Sequence, residues 1–216
     1  MSNDPSIPAA DPSLPKFAST SNQRLAAQLH FIIEADRLKG ILRQSVLSDR
    51  SRRENSAEHS WHIALVALIM HEYAPVPINL ERVLTMLLIH DIVEIEAGDA
   101  FVYDPVALAG KEEREKEAAD KLYGLLPDDI RDRLREAWNE FEERVTPESR
   151  FAHAVDRLMP MLHNYASQGQ SWLQHGVRRS QVLEYNQHME DGAPALWEYA
   201  RELVEQSVAK GWLNEG

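Results

Sequence analysis

The chain has 216 residues and no cysteine, which excludes disulfides, thiolate metal sites and cysteine nucleophiles. Hydrophobic residues make up 44 % of the chain and charged residues 27 %, as is typical of one folded domain with a sizeable core. The formal net charge of −12 repels nucleic-acid backbones and anionic membrane surfaces, so we expect neither as a partner.

The first segment, residues 1–22, has four prolines among Ser, Asp and Ala and no apolar run of signal-peptide length. We predict that it is a disordered tail and that one domain occupies residues 23–216. No apolar run in the chain approaches the roughly 18 residues that a membrane helix needs. The sequence therefore predicts a cytoplasmic protein without a membrane partner.

From residue 23 onwards, apolar residues recur at steps of three and four, which is the period of amphipathic helices. The predicted helices are 23–42, 58–73, 79–98, 111–124, 127–144, 147–162 and 193–211. Ser56 and Asn79 are the expected N-caps of the second and third helices, and a polar connector over residues 43–55 precedes Ser56. These two helices are apolar nearly all round, so we expect them to be central.

The sequence shows no apolar residues alternating with period two and no repeat of 20 to 50 residues. Both patterns would indicate another architecture, a sheet or a solenoid. The predicted fold is therefore an all-α, single-domain helical bundle.

His90 and Asp91 follow the apolar run 84–89, where burying two unpaired polar groups would cost several kcal/mol. On its own, such a pair is explained by a hydrogen bond between the two groups inside a core. His59 in the preceding helix and Asp156 among apolar neighbours in a later one favour a different interpretation. Together the four side chains can surround one divalent ion and leave positions for water and substrate.

Two short segments accompany these four residues: Arg-Glu-Asn at 53–55 and His-Asp-Ile-Val-Glu at 90–94, which leads to Gly-Asp at 98–99. The ordered set resembles the HD-domain metal-dependent phosphohydrolases. Within them it most resembles the 5′-deoxynucleotidases, which are helical, commonly dimeric and dephosphorylate deoxynucleoside 5′-monophosphates. The likeness extends over residues 25–162.

The resemblance implies one divalent ion per chain, of Mn, Co, Fe, Ni or Zn, held by His59, His90, Asp91 and Asp156. Glu94 matches the family's catalytic carboxylate. It follows His90 by four residues, on the same helix face, so its carboxylate would lie beside the attacking metal-bound water. Asp99 matches an acid that orients the substrate.

A basic segment precedes these motifs. Residues 36–53 contain six basic and two acidic side chains, a local charge of +4 in an acidic chain. Because guanidinium groups bind phosphate through two parallel hydrogen bonds, Arg43 and Arg53 are the predicted substrate contacts. The deoxynucleotidases have an Arg-Trp or Arg-x-Gly-Trp element here that helps to select the sugar. This chain has Arg-Gln-Ser at 43–45, and the choice between ribose and deoxyribose stays open.

The leading hypothesis is a metal-dependent phosphomonoesterase that hydrolyses nucleoside 5′-monophosphates, and deoxynucleotides are the first candidates for its substrate. The resemblance also predicts a homodimer. Two alternatives stay open: an HD-type hydrolase of a nucleoside triphosphate or signalling nucleotide, and a non-catalytic helical binding module stabilised by its metal. A metalloprotease is excluded because residues 58–62 do not form His-Glu-x-x-His. A di-iron oxidase is excluded because no Glu-x-x-His pair is repeated.

Overall fold

The computed structural model describes residues 21–216, so residues 1–20 of the predicted tail lie outside the described part of the chain. Asn22 is the N-cap of the first helix, where its side chain accepts a hydrogen bond from the backbone N–H of Leu25. The helices are α1 Gln23–Asp36, α2 Ser56–Met70, α3 Leu80–Ile89, α4 Glu94–Ala97, α5 Pro105–Leu108, α6 Lys111–Tyr123, α7 Asp128–Glu143, α8 Pro147–Ala166, α9 Gln170–Gln174, α10 Arg179–Asn186, α11 Met189–Gly192 and α12 Pro194–Ala209. Short 3₁₀ turns over Arg37–Gly40, His71–Tyr73 and His90–Val93 follow α1, α2 and α3.

A short antiparallel hairpin lies between α1 and α2, with strands β1 Leu42–Val46 and β2 Arg53–Asn55. The prediction of an irregular connector over 43–55 is wrong here. Neither strand alternates apolar with polar residues, so the sequence carried no strand signal. An irregularity in the register separates the paired ends of the two strands. Within residues 21–216 this hairpin is the only sheet, and the predicted all-α fold is confirmed.

The start of α2 differs by one residue from the prediction, because its N-cap is Asn55 and not Ser56. The Asn55 side chain accepts from the backbone N–H of Glu58, and the Glu58 carboxylate accepts from the backbone N–H of Asn55. This reciprocal capping box needs a Glu three residues after the cap, a spacing that only Asn55 meets. It fixes α2 at the end of β2 and places His59 just past the first turn.

The predicted third helix is interrupted. The α-helix ends at Ile89, a 3₁₀ turn covers His90–Val93, and α4 then continues to Ala97. Gly98 ends α4 with a φ of 77°, a conformation that favours glycine, as the sequence predicted. All four residues of the 3₁₀ turn are buried, so the His-Asp pair lies inside the core.

The 20-residue helix α8 is central and packs against α2, α3, α7, α11 and α12. Thr146 is its N-cap and Pro147 its first residue. Pro160, in its interior, has no N–H, so the Asp156 carbonyl lacks the usual helical hydrogen bond. One continuous apolar core links buried residues from Leu38 to Leu213. Within the described residues, no helix is both long and apolar enough to cross a membrane.

Helix α2 is buried on one side only, so the expectation that it is central holds for its inner face. Ile63 and Ala67 are fully buried. On the outer face Trp61, Leu65 and Leu68 follow one another at steps of four and three and are 63 %, 39 % and 48 % exposed. We call these three residues the outer stripe of α2.

Candidate active site and metal centre

The four predicted metal ligands converge at one point in the core. His59 comes from α2, His90 and Asp91 from the 3₁₀ turn, and Asp156 from α8. The His59 Nε2 lies 2.8 Å from the Asp156 Oδ1, and the His90 Nε2 lies 2.9 Å from the Asp91 Oδ1. The His90 Nε2 is also 3.9 Å from the Asp156 Oδ1, which joins the two pairs into one cluster. We call these four side chains the ligand cluster.

The spacing and chemistry of the ligand cluster fit a divalent ion. Neighbouring ligands of an ion with bonds of about 2.1 Å lie roughly 3 Å apart in octahedral geometry. All four side chains are buried, and the contact of 2.9 Å between the His90 Nε2 and the Asp91 Oδ1 does not have the geometry of a hydrogen bond. A buried ring nitrogen that meets a carboxylate without a hydrogen bond is costly unless an ion lies between them. Two imidazoles and two carboxylates suit the divalent ions from manganese to zinc.

The charges in the cluster lead to the same conclusion. Burial alone would lower the pKa of His90, but the carboxylates of Asp91 and Asp156 raise it to about 9. Burial opposes the ionisation of Asp91, yet His90 and Arg43 hold the pKa of its carboxyl below the ordinary value. The space between the two carboxylates therefore favours a positive charge. A divalent ion would supply that charge and take the place of the His90 proton.

Each aspartate of the cluster has an arginine on its second carboxylate oxygen. The Nη1 of Arg43 lies 2.7 Å from the Asp91 Oδ2, and the Nη2 of Arg157 lies 3.4 Å from the Asp156 Oδ2. The Arg157 guanidinium packs over the ring of Tyr185 at 4.9 Å, and its Nε has no hydrogen-bond partner. Arg157 is not among the site residues predicted from the sequence. Its position beside Asp156, within an apolar helix segment, is the signal that could have found it.

Arg53 has different surroundings from Arg43. Its Nε donates a hydrogen bond to the Arg43 carbonyl and its Nη2 donates one to the Leu42 carbonyl. These bonds hold the guanidinium along β1, so the structure does not bring it to the ligand cluster.

Glu94 lies beside the ligand cluster. Its Oε2 accepts a hydrogen bond of 2.6 Å from the Ser56 hydroxyl, and its Oε1 is 4.0 Å from the Arg43 Nη1. Burial and the nearby charge of Asp91 raise the pKa of Glu94 well above its ordinary value, and burial also raises the pKa of Asp99. Buried carboxyl groups with raised pKa values are suited to exchanging protons near neutral pH.

Glu54 on β2 is a second residue to which the sequence analysis gave no role. Its Oε2 lies 3.5 Å from the Nδ1 of His59. Because His59 presents its Nε2 to the cluster, its Nδ1 faces Glu54, and the two groups form a buried ion-pair contact without the geometry of a hydrogen bond. Burial opposes the ionisation of Glu54, but His59, His163 and Arg43 hold the pKa of its carboxyl below the ordinary value.

Two cavities meet at this site. The metal-side cavity, of about 220 Å³, is lined by charged groups that include His90, Asp91, Glu94 and Asp156. The aromatic cavity, of about 60 Å³, is lined by side chains that include Phe101, Tyr103, Trp172 and Tyr185. The residues that line both cavities include Arg43, Asp99 and Arg157. A ligand that bridges the cavities would therefore pass the two arginines.

Comparisons with known proteins agree with this geometry. The HD-domain family model matches residues 35–197. A crystal structure from Magnetospirillum magnetotacticum MS-1, described as a predicted metal-dependent phosphohydrolase, shares 51 % sequence identity and a TM-score of 0.85, over 89 % of this chain and 96 % of that one. The 5′-deoxynucleotidase HDDC2 of Danio rerio is 29 % identical over 63 % of this chain and 68 % of its own length. The human protein of that name is 28 % identical over 67 % and 70 %.

Proposed function

Because this chain belongs to the HD-domain family and is a metal-dependent phosphohydrolase, we propose that it removes the phosphate from nucleoside 5′-monophosphates, with deoxynucleotides preferred. The names of the relatives from Danio rerio and Homo sapiens support this substrate class. The observation that carries the proposal is the pair of arginines, Arg43 and Arg157, each held on an aspartate of the ligand cluster where the two cavities meet.

One divalent ion would be held by His59, His90, Asp91 and Asp156. When bound, such an ion polarises a phosphoryl oxygen and lowers the pKa of a water molecule. Arg43 and Arg157 would donate hydrogen bonds to the phosphate oxygens from two sides. Their contacts with the aspartates hold both guanidinium groups in place before the substrate arrives, which is what electrostatic preorganisation requires.

Glu94 is the proposed proton carrier. The Ser56 hydroxyl donates to its Oε2 and leaves the Oε1 on the side of Arg43. A water oxygen forms the new bond to phosphorus while the bond from phosphorus to the 5′-oxygen breaks. Glu94 takes a proton from that water and returns a proton to the leaving oxygen, so the products are the nucleoside and inorganic phosphate. Asp99 is the proposed acid that orients the substrate at the junction of the cavities.

The aromatic cavity is the proposed site for the nucleoside. Phe101 and Tyr185 offer rings against which a base can stack. Gln44, from β1, lines the same cavity, and its Oε1 lies 3.2 Å from the Nε2 of His175. A hydrogen-bonding side chain at this position makes Gln44 our candidate for contact with the sugar. Arg53 would then act on the phosphate only indirectly, by holding the backbone of Arg43.

A phosphate-release screen tests the proposal. The full chain would be assayed with deoxy- and ribonucleoside mono- and triphosphates, each with manganese, cobalt, nickel, zinc and magnesium. We expect turnover of monophosphates, with deoxynucleotides above ribonucleotides, and loss of turnover in His90→Ala. Hydrolysis of triphosphates alone would favour the nucleoside-triphosphatase alternative. A folded, metal-loaded chain that hydrolyses none of these compounds would favour the non-catalytic binding module.

We also propose that the protein is a homodimer and that a second copy covers the outer stripe of α2. Exposed apolar side chains that follow one helix face are typical of helices that pack against another chain. Light scattering should report twice the chain mass for the wild type and a shift towards the single-chain mass for Leu65→Lys. Val106→Lys, at a position 84 % exposed outside this stripe, is the matched control and should stay dimeric. A wild-type monomer at micromolar concentration contradicts the proposal.

A further inference from the structure

A second group of titratable side chains lies beside the ligand cluster, along the same contact between α2 and α8. His62 follows His59 by three residues, about one helical turn, and His163 follows Asp156 by seven, about two turns. The two later residues also meet across the helices, with ring centroids 5.9 Å apart. The α2–α8 contact therefore carries two successive polar pairs.

Glu54 completes the second group from β2. Its Oε2 lies 3.7 Å from the His163 Nδ1 and 3.5 Å from the His59 Nδ1. Glu54 is 1 % exposed and His163 is 6 % exposed, and neither the Glu54 Oε2 nor the His163 Nδ1 has a hydrogen-bond partner. A buried acceptor and a buried ring nitrogen that face each other without a hydrogen bond need a common partner.

The spacing of the group fits a metal ion better than a direct hydrogen bond. One ligand atom each from Glu54, His62 and His163 lies within 4.8 Å of the other two. Two ligands of a tetrahedral ion with bonds of about 2.1 Å lie roughly 3.4 Å apart. A direct N–H to oxygen hydrogen bond would bring its atoms to about 2.9 Å. The 3.7 Å between Glu54 and His163 is closer to the first value.

We propose that Glu54, His62 and His163 form a second binding site for a divalent transition-metal ion, separate from the ligand cluster. Two imidazoles and one carboxylate, without thiolate, are a donor set for zinc, cobalt or nickel. Three protein ligands leave a fourth position for water.

The burial of His163 and the position of His62 also support metal binding. Burial lowers the pKa of His163, which keeps its ring in the neutral form that binds metals. His62 is half-buried beside the exposed ring of Trp61, at a centroid distance of 5.8 Å, so the site lies at the surface edge of the α2–α8 contact. The site is separate from the metal-side cavity, whose lining does not include Glu54, His62 or His163.

Metal titration of the full chain, freed of metal by a chelator, tests the proposal. Zn²⁺ bound per chain would be measured by equilibrium dialysis with elemental analysis. We expect about two ions for the wild type and about one for His62→Ala and for His163→Ala. Both variants should retain the ion of the ligand cluster. His90→Ala, which removes a residue of that cluster, should keep the second ion, so failure here is distinguishable from failure of the proposed function.

His71→Ala is the matched control, because His71 is exposed just after α2 and its ring forms a hydrogen bond with the Leu68 carbonyl, away from the proposed site. It should bind two ions like the wild type. If buried His163 proves necessary for folding, His62→Ala at the half-buried edge remains decisive. One ion in the wild type, or two ions in both His62→Ala and His163→Ala, overturns the proposal.

Discussion

The metal-side cavity and the aromatic cavity meet at Arg43 and Arg157, but different forces hold their walls in place. On the metal side, buried charges hold one another, as in the contact between Arg43 and Asp91. On the aromatic side, away from the shared charged residues, the polar groups are neutral, as in the hydrogen bond of 2.8 Å that the Asn186 side chain donates to the Val182 carbonyl. Charge substitutions on the metal side should therefore impair the chemical step, whereas substitutions on the aromatic side should mainly impair substrate binding.

The largest effect is expected for Asp91→Asn on the metal side. The neutral amide removes an ion ligand and leaves the Arg43 guanidinium without its carboxylate, so bound metal and turnover should both fall to background. Elemental analysis and phosphate release measure the two losses. Glu96→Gln is the control, because Glu96 lies five residues after Asp91 but is exposed and pairs with Lys121. This variant should keep both its bound metal and its turnover. Full metal content in Asp91→Asn would remove Asp91 from the ligand cluster.

A smaller effect is expected for Arg157→Met, at the wall that the cavities share. Losing one charge-assisted hydrogen bond to the phosphate should lower kcat/KM by roughly 10- to 100-fold, while metal content stays unchanged. Arg157→Lys should recover part of the loss, because lysine restores the positive charge but not the two parallel N–H donors of a guanidinium group. Arg135→Met is the control, since Arg135 also lies over an aromatic ring, that of Trp138, but far along the chain from the ligand cluster. Wild-type kinetics in Arg157→Met would refute this assignment.

On the aromatic side, Phe101→Ala should raise the KM for a nucleoside monophosphate by about tenfold, the value of one lost aromatic contact. Turnover of a small phosphomonoester without a base should stay at the wild-type level, because that substrate does not reach the aromatic cavity. The comparison of the two substrates in steady-state kinetics measures the difference. An equal loss of kcat/KM on both substrates would mean that the aromatic cavity does not act on substrate binding alone.

The smallest effect concerns stability and rests on a neutral group on the metal side. His153 lines the metal-side cavity and its Nε2 bonds to the Phe141 carbonyl at 2.7 Å, while burial holds the pKa of its ring well below the ordinary value. Below about pH 6.5 the unfolded chain binds a proton that the folded chain excludes, so stability is full above this pH and falls as the pH drops. Through His153 alone, the free energy of unfolding should fall by up to about 1.4 kcal/mol for each pH unit below this value.

Urea unfolding between pH 7 and pH 5 measures this slope, and His153→Gln should flatten it. His188, whose pKa burial lowers to about 4, contributes in the same direction and stays in the variant. An identical slope in the wild type and in His153→Gln would contradict the part given to His153.

The ligand residues could be predicted because a polar side chain in an apolar helix is visible in the sequence itself. His90 and Asp91 interrupt such a run, and the structure confirms that both are buried. Arg157 shares that signal by its position beside Asp156, but the signal does not say what the side chain contacts, and Glu54 gave no comparable signal. Their roles depend on distances across the fold, to Asp156 in one case and to His59 in the other.

The two predicted phosphate ligands are a second case in which a role depends on the fold and could not be predicted from the sequence. Arg43 and Arg53 lie on adjacent strands and carry the same charge, so composition could not separate them. The paired strands turn Arg43 towards Asp91 and leave Arg53 bonded to the carbonyl of Arg43. Because neither strand shows an alternating pattern, the hairpin was invisible and the difference between its two arginines could not be foreseen.

In the proposed mechanism Glu94 moves a proton beside the ion without binding it. Bound metal and kcat for a deoxynucleoside 5′-monophosphate, compared between Glu94→Gln and the wild type, test this role. We expect full metal content and a kcat lower by roughly 10²- to 10⁴-fold, the usual cost of removing a general acid–base group. Loss of the ion would make Glu94 a ligand, and full metal with full turnover would contradict the role assigned to this carboxylate.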